Sequence, residues 1–424
     1  MLLTSSVLFF LNKENIEQRI LLNISSKITS SLNSNVEISN INFKYNGEII
    51  INNLSILDHK NDTLIFIDQI STSIYNSTNF FTSKTKLNSL KLSGGIAKLN
   101  KYKGDSITNL QMFLNKTNSI SNNPSSGFDF NLKKIIIDDF KISLYNESII
   151  VNELNDFKLS AKDFNLSRDY LNVDIDQINF VDYFNLNVTQ FASKLMYDKT
   201  GLYINNILLK TPNSMIDAEI TSLNTNNSSI LNNKFQITLS NSSISTNDVN
   251  LYYDTLINDE LIEFSSFFEG SLTDSFLGYL NFKFGSNSNA KIDFELKDVL
   301  DNIKVNTTIN EFYTNYKDLT KFPDISNYKI PKFLDSTKYI SLTGDCNYFN
   351  NTLLNKYQVL TDFGELNIDI NLMNFLSKSL ESKLFGTVKF KDFVFSDSSL
   401  FHADIKASAD FIIDGNVLPN QTLN

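Results

Sequence analysis

The chain is poor in the residues that carry most protein chemistry. Its 424 residues include one cysteine, no tryptophan, two histidines, five prolines and thirteen glycines. A lone Cys346 excludes an intrachain disulfide and a cysteine metal cage, and with no base near it in sequence it reads as a small half-buried thiol in the turn after Leu342. His59, in an expected turn, and His402 are far apart in sequence and read as ordinary polar residues. The Ser93-Gly94-Gly95 step lacks the lysine and helix pattern of a phosphate loop. Absent tryptophan removes the usual carbohydrate platform. A net charge of −10 with no basic stripe argues against nucleic acid as the partner. Long apolar runs are missing too. Met1–Leu11 holds about ten mostly apolar residues where a bilayer crossing needs roughly twenty, and it lacks the positive flank of a signal peptide.

What the chain does have is phenylalanine, isoleucine, leucine, tyrosine and asparagine in short periodic runs. Ile16, Ile20, Ile24, Ile28 and Leu32 recur every fourth residue and draw an apolar stripe down a helix. From Val36 the period becomes two, with Ile41, Phe43 and Tyr45 alternating with polar residues. The same alternation returns at Phe157–Ala161, Leu171–Ile175, Phe235–Leu239, Leu280–Phe284, Ala290–Leu296, Leu366–Leu372 and Ala403–Ala409. Lys86–Lys101 reads as two short strands about Gly94-Gly95, and the polar stretch Asn115–Gly127 reads as a loop. Glu311–Leu319 is a second helical candidate. Asn-x-Ser/Thr triplets, at Asn23, Asn53, Asn61, Asn76 and Asn146 among others, are what chance gives in so Asn-rich a sequence.

One-sided strands need cover. With so little helix, the expectation is a mainly β fold in which an elongated antiparallel sheet of roughly 20 to 25 strands curls on itself around an apolar groove. The N-terminal amphipathic helix caps it. Residues 1–35 form the membrane-proximal segment and 36–424 the β-groove region, with a flexible loop near 115–127. Phe282, Phe284, Ile292, Phe294, Leu296, Leu366, Ile368 and Ile370 would line an open groove or fill a closed, dry core; the residues alone do not choose. Paired acids at Asp138-Asp139 and at Asp174 with Asp176 fall on polar faces, where solvated charge is the default over a metal or catalytic role.

The turn Asp58-His59-Lys60-Asn61-Asp62-Thr63-Leu64, set after a helix and a strand and before Ile65–Tyr75, resembles the N-terminal region of the TamB/AsmA-like family (translocation and assembly module TamB, Bacteroidetes type). Ile330–Leu372, with Pro331 and Thr361-Asp362-Phe363-Gly364-Glu365-Leu366, is similar to a recurrent TamB-like segment, as are the stretches from Phe268 and Leu280. The family's C-terminal domain has no counterpart here, so the chain reads as an N-terminal portion of a longer protein.

That resemblance implies a non-enzymatic, cofactor-free cell-envelope protein. It would be anchored in the inner membrane through its N-terminus and reach into the periplasm, with Met1–Leu11 as part of the tether. Two other readings of that run are a helix dipping into one leaflet and the buried first turns of the helix. The implied role is a hydrophobic β-groove bridge for phospholipid transport between membranes, or outer-membrane protein assembly and secretion. Membrane lipids and an outer-membrane assembly-type barrel protein are the implied partners, and the resemblance favours an open groove. The alternative is a secreted structural or adhesive β-solenoid without lipid cargo, against which stands the absence of a strict short repeat.

Overall fold

The computed structural model describes residues 34–44, 47–74, 84–120, 129–147, 149–167, 170–223, 233–252, 259–321, 337–374, 382–395 and 405–417. The helix expected at Ile16–Leu32, the run before it and His402 lie outside them. Twenty strands and three helices occupy the described residues. The chain divides into two units. One holds Met1–Lys199 with Asn206–Pro212, the other Thr200–Asn205 with Asn213–Asn424.

In the first unit the strands are β1 (Val36–Phe43), β2 (Glu48–Leu57), β3 (Thr63–Ile74), β4 (Lys84–Lys101), β5 (Asp129–Asn146), β6 (Ile149–Ser167), β7 (Tyr170–Asp182) and β8 (Asn187–Tyr197); β9 (Gly201–Lys210) is divided between the units. Each of β1–β7 pairs with the strand that follows it. All these pairs are antiparallel except β4 with β5, which run parallel. A parallel pair needs a crossover, and α1 (Asn109–Ile120) lies in that connection. Thr108 starts the helix, its Oγ1 accepting the Gln111 N–H at 3.3 Å. The polar stretch expected as a loop from Asn115 is therefore helical through Ile120; a capped first turn outweighs weak apolar periodicity.

The second unit is a meander of β10 (Met215–Leu223), β11 (Lys234–Ser245), β12 (Leu261–Gly270), β13 (Ser275–Phe284), β14 (Ser288–Lys297), β15 (Lys304–Thr314), β16 (Ile340–Phe349), β17 (Thr352–Thr361), β18 (Glu365–Met373), β19 (Ser382–Phe395) and β20 (Ile405–Val417). Each antiparallel pair joins sequence neighbours. Two short helices, α2 (Thr246–Asn250) and α3 (Tyr316–Leu319), sit between strands. Three readings are corrected here. Glu311–Thr314 is the end of β15 rather than helix, Cys346 lies inside β16 rather than in a turn, and Lys84–Lys101 is one strand rather than two.

The expected curling is also corrected. Within each unit every substantial strand contact among the described residues is with the adjacent strand, so the sheet there is open, uncurled and without a second layer. Scarce glycine does not leave the backbone rigid, because asparagine and aspartate take its place. Fourteen of the fifteen non-glycine residues with positive φ among the described residues are Asn or Asp, the exception being Glu147. These side chains tolerate the left-handed region because they hydrogen-bond locally.

Some of these residues close hairpins. Asp58–Asp62 and Asp182–Leu186 share one turn design. The first residue's N–H reaches the last residue's carbonyl at 2.8 and 3.1 Å, with Asn61 and Asn185 left-handed at φ 62° and 67°. Others make bulges inside strands. In the first unit four interruptions line up across neighbouring strands, at Asn53, Asp68, Gly94 and Asp139. Gly94 has φ +65°, and an added Cβ would strike the Asp68 carboxylate. From β2 to β5 the ladders keep their register across these interruptions, each skipped residue having a skipped mate, and side chains three apart come to one face. Ile51 and Leu54, Ile67 and Ile70, and Ile137 and Phe140 consequently join one apolar cluster with Val36, Leu92 and Phe157.

Candidate functional site

The eight residues expected to line a groove lie in the second unit, on β13, β14 and β18. Residues directly opposite in a ladder share a face, so the register traces where each one points. Phe282 stands opposite Ala290, which leads through Phe312, Leu342 and Val359 to Leu366. Ile292 leads through Ile309, Gly344 and Tyr357 to Ile368, and Phe294 through Thr307, Cys346 and Asn355 to Ile370. Phe284 and Leu296 follow the same parity on β13 and β14. All eight are thus on one face, although some 70 residues of sequence separate Leu296 from Leu366.

Phenylalanine rings concentrate at one side of this face. Phe268 and Phe294 meet at 6.2 Å across Gly278, which lies between them in the ladder. Phe282 stacks on Phe284 at 6.0 Å, and Phe284 meets Phe312 at 6.3 Å. Ring contacts of this kind stabilise by about 1 kcal/mol beyond area burial. Phe284 is buried, and the other seven residues of the set are half-buried. The lining is less uniform than its sequence suggests. Thr307, Cys346 and Asn355 place a more polar band between Phe294 and Ile370, with Asn355 donating its amide to the Ile370 carbonyl at 3.4 Å.

The opposite face is laced with cross-strand charge. Lys291 pairs with Glu311 at 2.6 Å, Lys389 with Asp410 at 3.4 Å and Lys383 with Asp414 at 3.5 Å. The first unit does the same with the acid pair singled out in its sequence. Lys162 binds Asp176 at 2.5 Å and Asp174 at 3.7 Å, which raises the Lys162 pKa, chiefly through the hydrogen bond to Asp176. Asp138 pairs with Lys158 at 3.3 Å, and Asp139 is the bulge residue. Among the described residues no cluster of three or more His, Cys, Asp or Glu could hold a metal ion. A cleft of about 630 Å³ over β11–β15 is lined on its polar side by Glu263, Lys283, Lys291 and Glu311, a balanced set of charges.

Two buried aspartates organise the remaining polar chemistry. Asp58, in the β2–β3 turn, accepts the Lys60 and Asp62 N–H groups on Oδ1 at 2.8 and 3.1 Å. Its Oδ2 accepts Tyr102 Oη at 2.7 Å and Asn109 Nδ2 at 2.9 Å. Burial pushes its pKa up, but the bonds from Asn109, Tyr102 and the two amides outweigh that and hold the carboxyl below its ordinary range. The Tyr102 phenol is pushed up by burial and by donating to Asp58. Beside this knot His59 Nε2 meets Asp105 Oδ2 at 2.9 Å.

Asp318, on α3, went unremarked in the sequence. Its carboxylate accepts the Ser286 and Asn287 N–H groups, the Ser288 hydroxyl at 2.7 Å and the Asn315 amide at 3.0 Å. Burial raises its pKa and these donors, Ser288 foremost, more than reverse the shift. The available signal was Asn315 three residues before Asp318, a helix N-cap pattern: Asn315 Oδ1 accepts the Asp318 N–H at 2.9 Å. Both aspartates are tethers between loops.

No protein-family model, curated protein or solved structure matches the chain. No helix among the described residues is long and apolar enough to cross a membrane.

Proposed function

We propose that this protein is a non-enzymatic component of the cell envelope, held at the inner membrane through its N-terminus, whose apolar β-face carries phospholipid acyl chains between membranes. A contribution to outer-membrane protein assembly or secretion, alongside a barrel-type partner, is part of the same reading. One observation carries it. The register puts Phe282, Ile292, Phe294, Leu366, Ile368 and Ile370 on a single half-buried face, with no second layer packed over it among the described residues. The Asp58–Leu64 turn, through its resemblance to TamB-like proteins, supplies the membrane context.

An acyl chain suits such a face physically. Each CH₂ removed from water contributes about 0.8 kcal/mol without a directional contact, so a chain is held and can still slide. The polar band through Thr307, Cys346 and Asn355 would interrupt that slide and makes Phe294 and Ile370 the positions to probe. A photo-crosslinking side chain at Phe294 is expected to capture phospholipid in cells, and one at Lys291 on the opposite face is not. A folded protein that captures no lipid at Phe294 sinks the reading. Phe294→Asp is expected to abolish lipid passage, whereas Lys291→Asp leaves it unchanged.

A further inference from the structure

At one end of the first unit the β5–β6 hairpin runs past β7. β6 meets β7 first at Leu154, opposite Asp182, so Ile149 lies farther out by about 16 Å along the strand. Ile149 is 72 % exposed, and Ile150 and Val151 after it and Leu144 of β5 are exposed as well. The facing of these side chains sets them apart. Asn146 stands opposite Ile149 and Tyr145 opposite Ile150, so consecutive apolar side chains point to opposite faces of the sheet. Ile149 shares the face of Leu144 and Phe140, which is that of the apolar cluster, and Ile150 has the other. Set back from this hairpin end, the β7–β8 turn carries Tyr183 and Phe184, both exposed, with their rings edge to face at 5.3 Å.

We propose that this hairpin end inserts into a phospholipid bilayer, with Tyr183 and Phe184 at headgroup level. A protein partner docks against one face of a sheet and leaves the other wet. The acyl region of a bilayer surrounds both, which is the cover that Ile149 and Ile150 require together. An aromatic ring with one polar tip, such as Tyr183, suits the boundary between acyl chains and water. Lys101, beside Asn146 in the parallel ladder, and Lys103 are exposed at the same end and suit anionic headgroups, with Glu147 as the opposing charge. β1 also begins at this end, Val36 pairing with Ile56 next to the β2–β3 turn. The chain before Val36, proposed above as the membrane tether, therefore joins the sheet at the end where the hairpin projects. The inference rests on that membrane attachment and adds a second contact to it.

The test uses the full chain in a Cys346→Ser background, with an environment-sensitive fluorophore on Ile150→Cys and vesicles of phosphatidylethanolamine and phosphatidylglycerol that carry brominated acyl chains. Because Ile150 faces away from the apolar cluster, lipid held on the cluster's face does not reach the probe. Vesicles are expected to shift the emission to the blue and bromine to quench it at least about twofold. The same probe on Tyr197→Cys, at the far end of β8, is expected to stay unaffected. Adding Ile149→Asp to the Ile150 variant is expected to cut the quenching at least about fivefold. Ile149 is so exposed that this change leaves the fold intact, which far-UV dichroism checks. A folded chain that floats with the vesicles yet shows no quenching at Ile150 overturns insertion alone, and one that does not float overturns the attachment with it. A probe already shielded before vesicles are added overturns the proposal too, since another segment of the chain or a second copy then covers Ile150. The transport reading fails separately: quenching at Ile150 without lipid capture at Phe294 upholds insertion, and capture at Phe294 without quenching at Ile150 overturns it.

Discussion

Asp58 and Asp318 do the same physical work by different routes. Each is a buried carboxylate whose desolvation is more than repaid by donors from neighbouring segments. Asp58 sits in the hairpin loop that it shapes. It caps its own turn with two amides and reaches out with its second oxygen to Tyr102 and Asn109, so the β2–β3 turn is tied to the start of the crossover helix α1. Within its own turn the Asp318 carboxylate accepts only the Asn315 amide. It reaches from α3 into the β13–β14 turn, where Gly285, at φ +60°, leaves room that a Cβ would take from the carboxylate. One aspartate forms a local turn and then a tether; the other is chiefly a tether. Local bonds re-form once a hairpin closes, and long-range ones depend on tertiary structure. The loss of Asp318 should therefore cost more.

The largest expected effect is that of Asp318→Asn, which removes the charge that the Ser286 and Asn287 N–H groups, the Ser286 and Ser288 hydroxyls and the Asn315 amide converge on, and leaves the site buried. A loss of about 3 kcal/mol is expected by denaturant unfolding. A loss equal to or smaller than that of the Asp58 variant would break the distinction between tether and turn. Asp58→Asn is expected to cost about 2 kcal/mol, because an amide oxygen still caps Lys60 and Asp62 while the NH2 that replaces Oδ2 cannot accept from Tyr102 and Asn109. Protease nicking between β4 and α1 should rise in that variant and stay unchanged in Asp318→Asn.

Acid should weaken both knots. The folded pKa of each aspartate lies below its unfolded value near 3.9, so its stabilisation is fully present above about pH 4 and is lost as the pH falls through the folded pKa. Unfolding free energy measured from pH 6 down to pH 2 should drop over that window, and each Asn variant should flatten part of the drop. The smallest effect belongs to His59→Gln. One bond to Asp105 at the margin of the knot is worth about 0.5 to 1 kcal/mol, and a loss as large as that of Asp58→Asn would make His59 a member of the knot rather than its neighbour.

Much of the sheet was readable in advance because alternation is a local property. The runs at Phe235, Leu280, Ala290 and Leu366 are strands, with the facing that their period of two implied. Readings failed where a short-range signal had a longer-range competitor. The polar Asn115–Ile120 stretch became helix behind a capped turn, and the glycine pair at Gly94-Gly95 became an in-register interruption within β4, matched by its neighbours. Bulges do have a trace, in apolar residues spaced three apart around Asn or Asp, as in Ile137-Asp138-Asp139-Phe140. The same spacing serves helices, so it is ambiguous until pairing is known.

The sequence by itself determined that the chain is β-rich, that its strands are one-sided, and that chemistry resting on cysteine pairs or a glycine-rich phosphate loop is absent. It also marked the Asp58–Leu64 turn, since a turn is built from residues next to one another. Only the tertiary structure decided that β4 and β5 run parallel, that Asp318 rather than a more conspicuous acid holds the second unit's turn, and that Phe294 and Ile370 share a face. These depend on register, and register is fixed by pairing between segments whose separation along the chain carries no local signal.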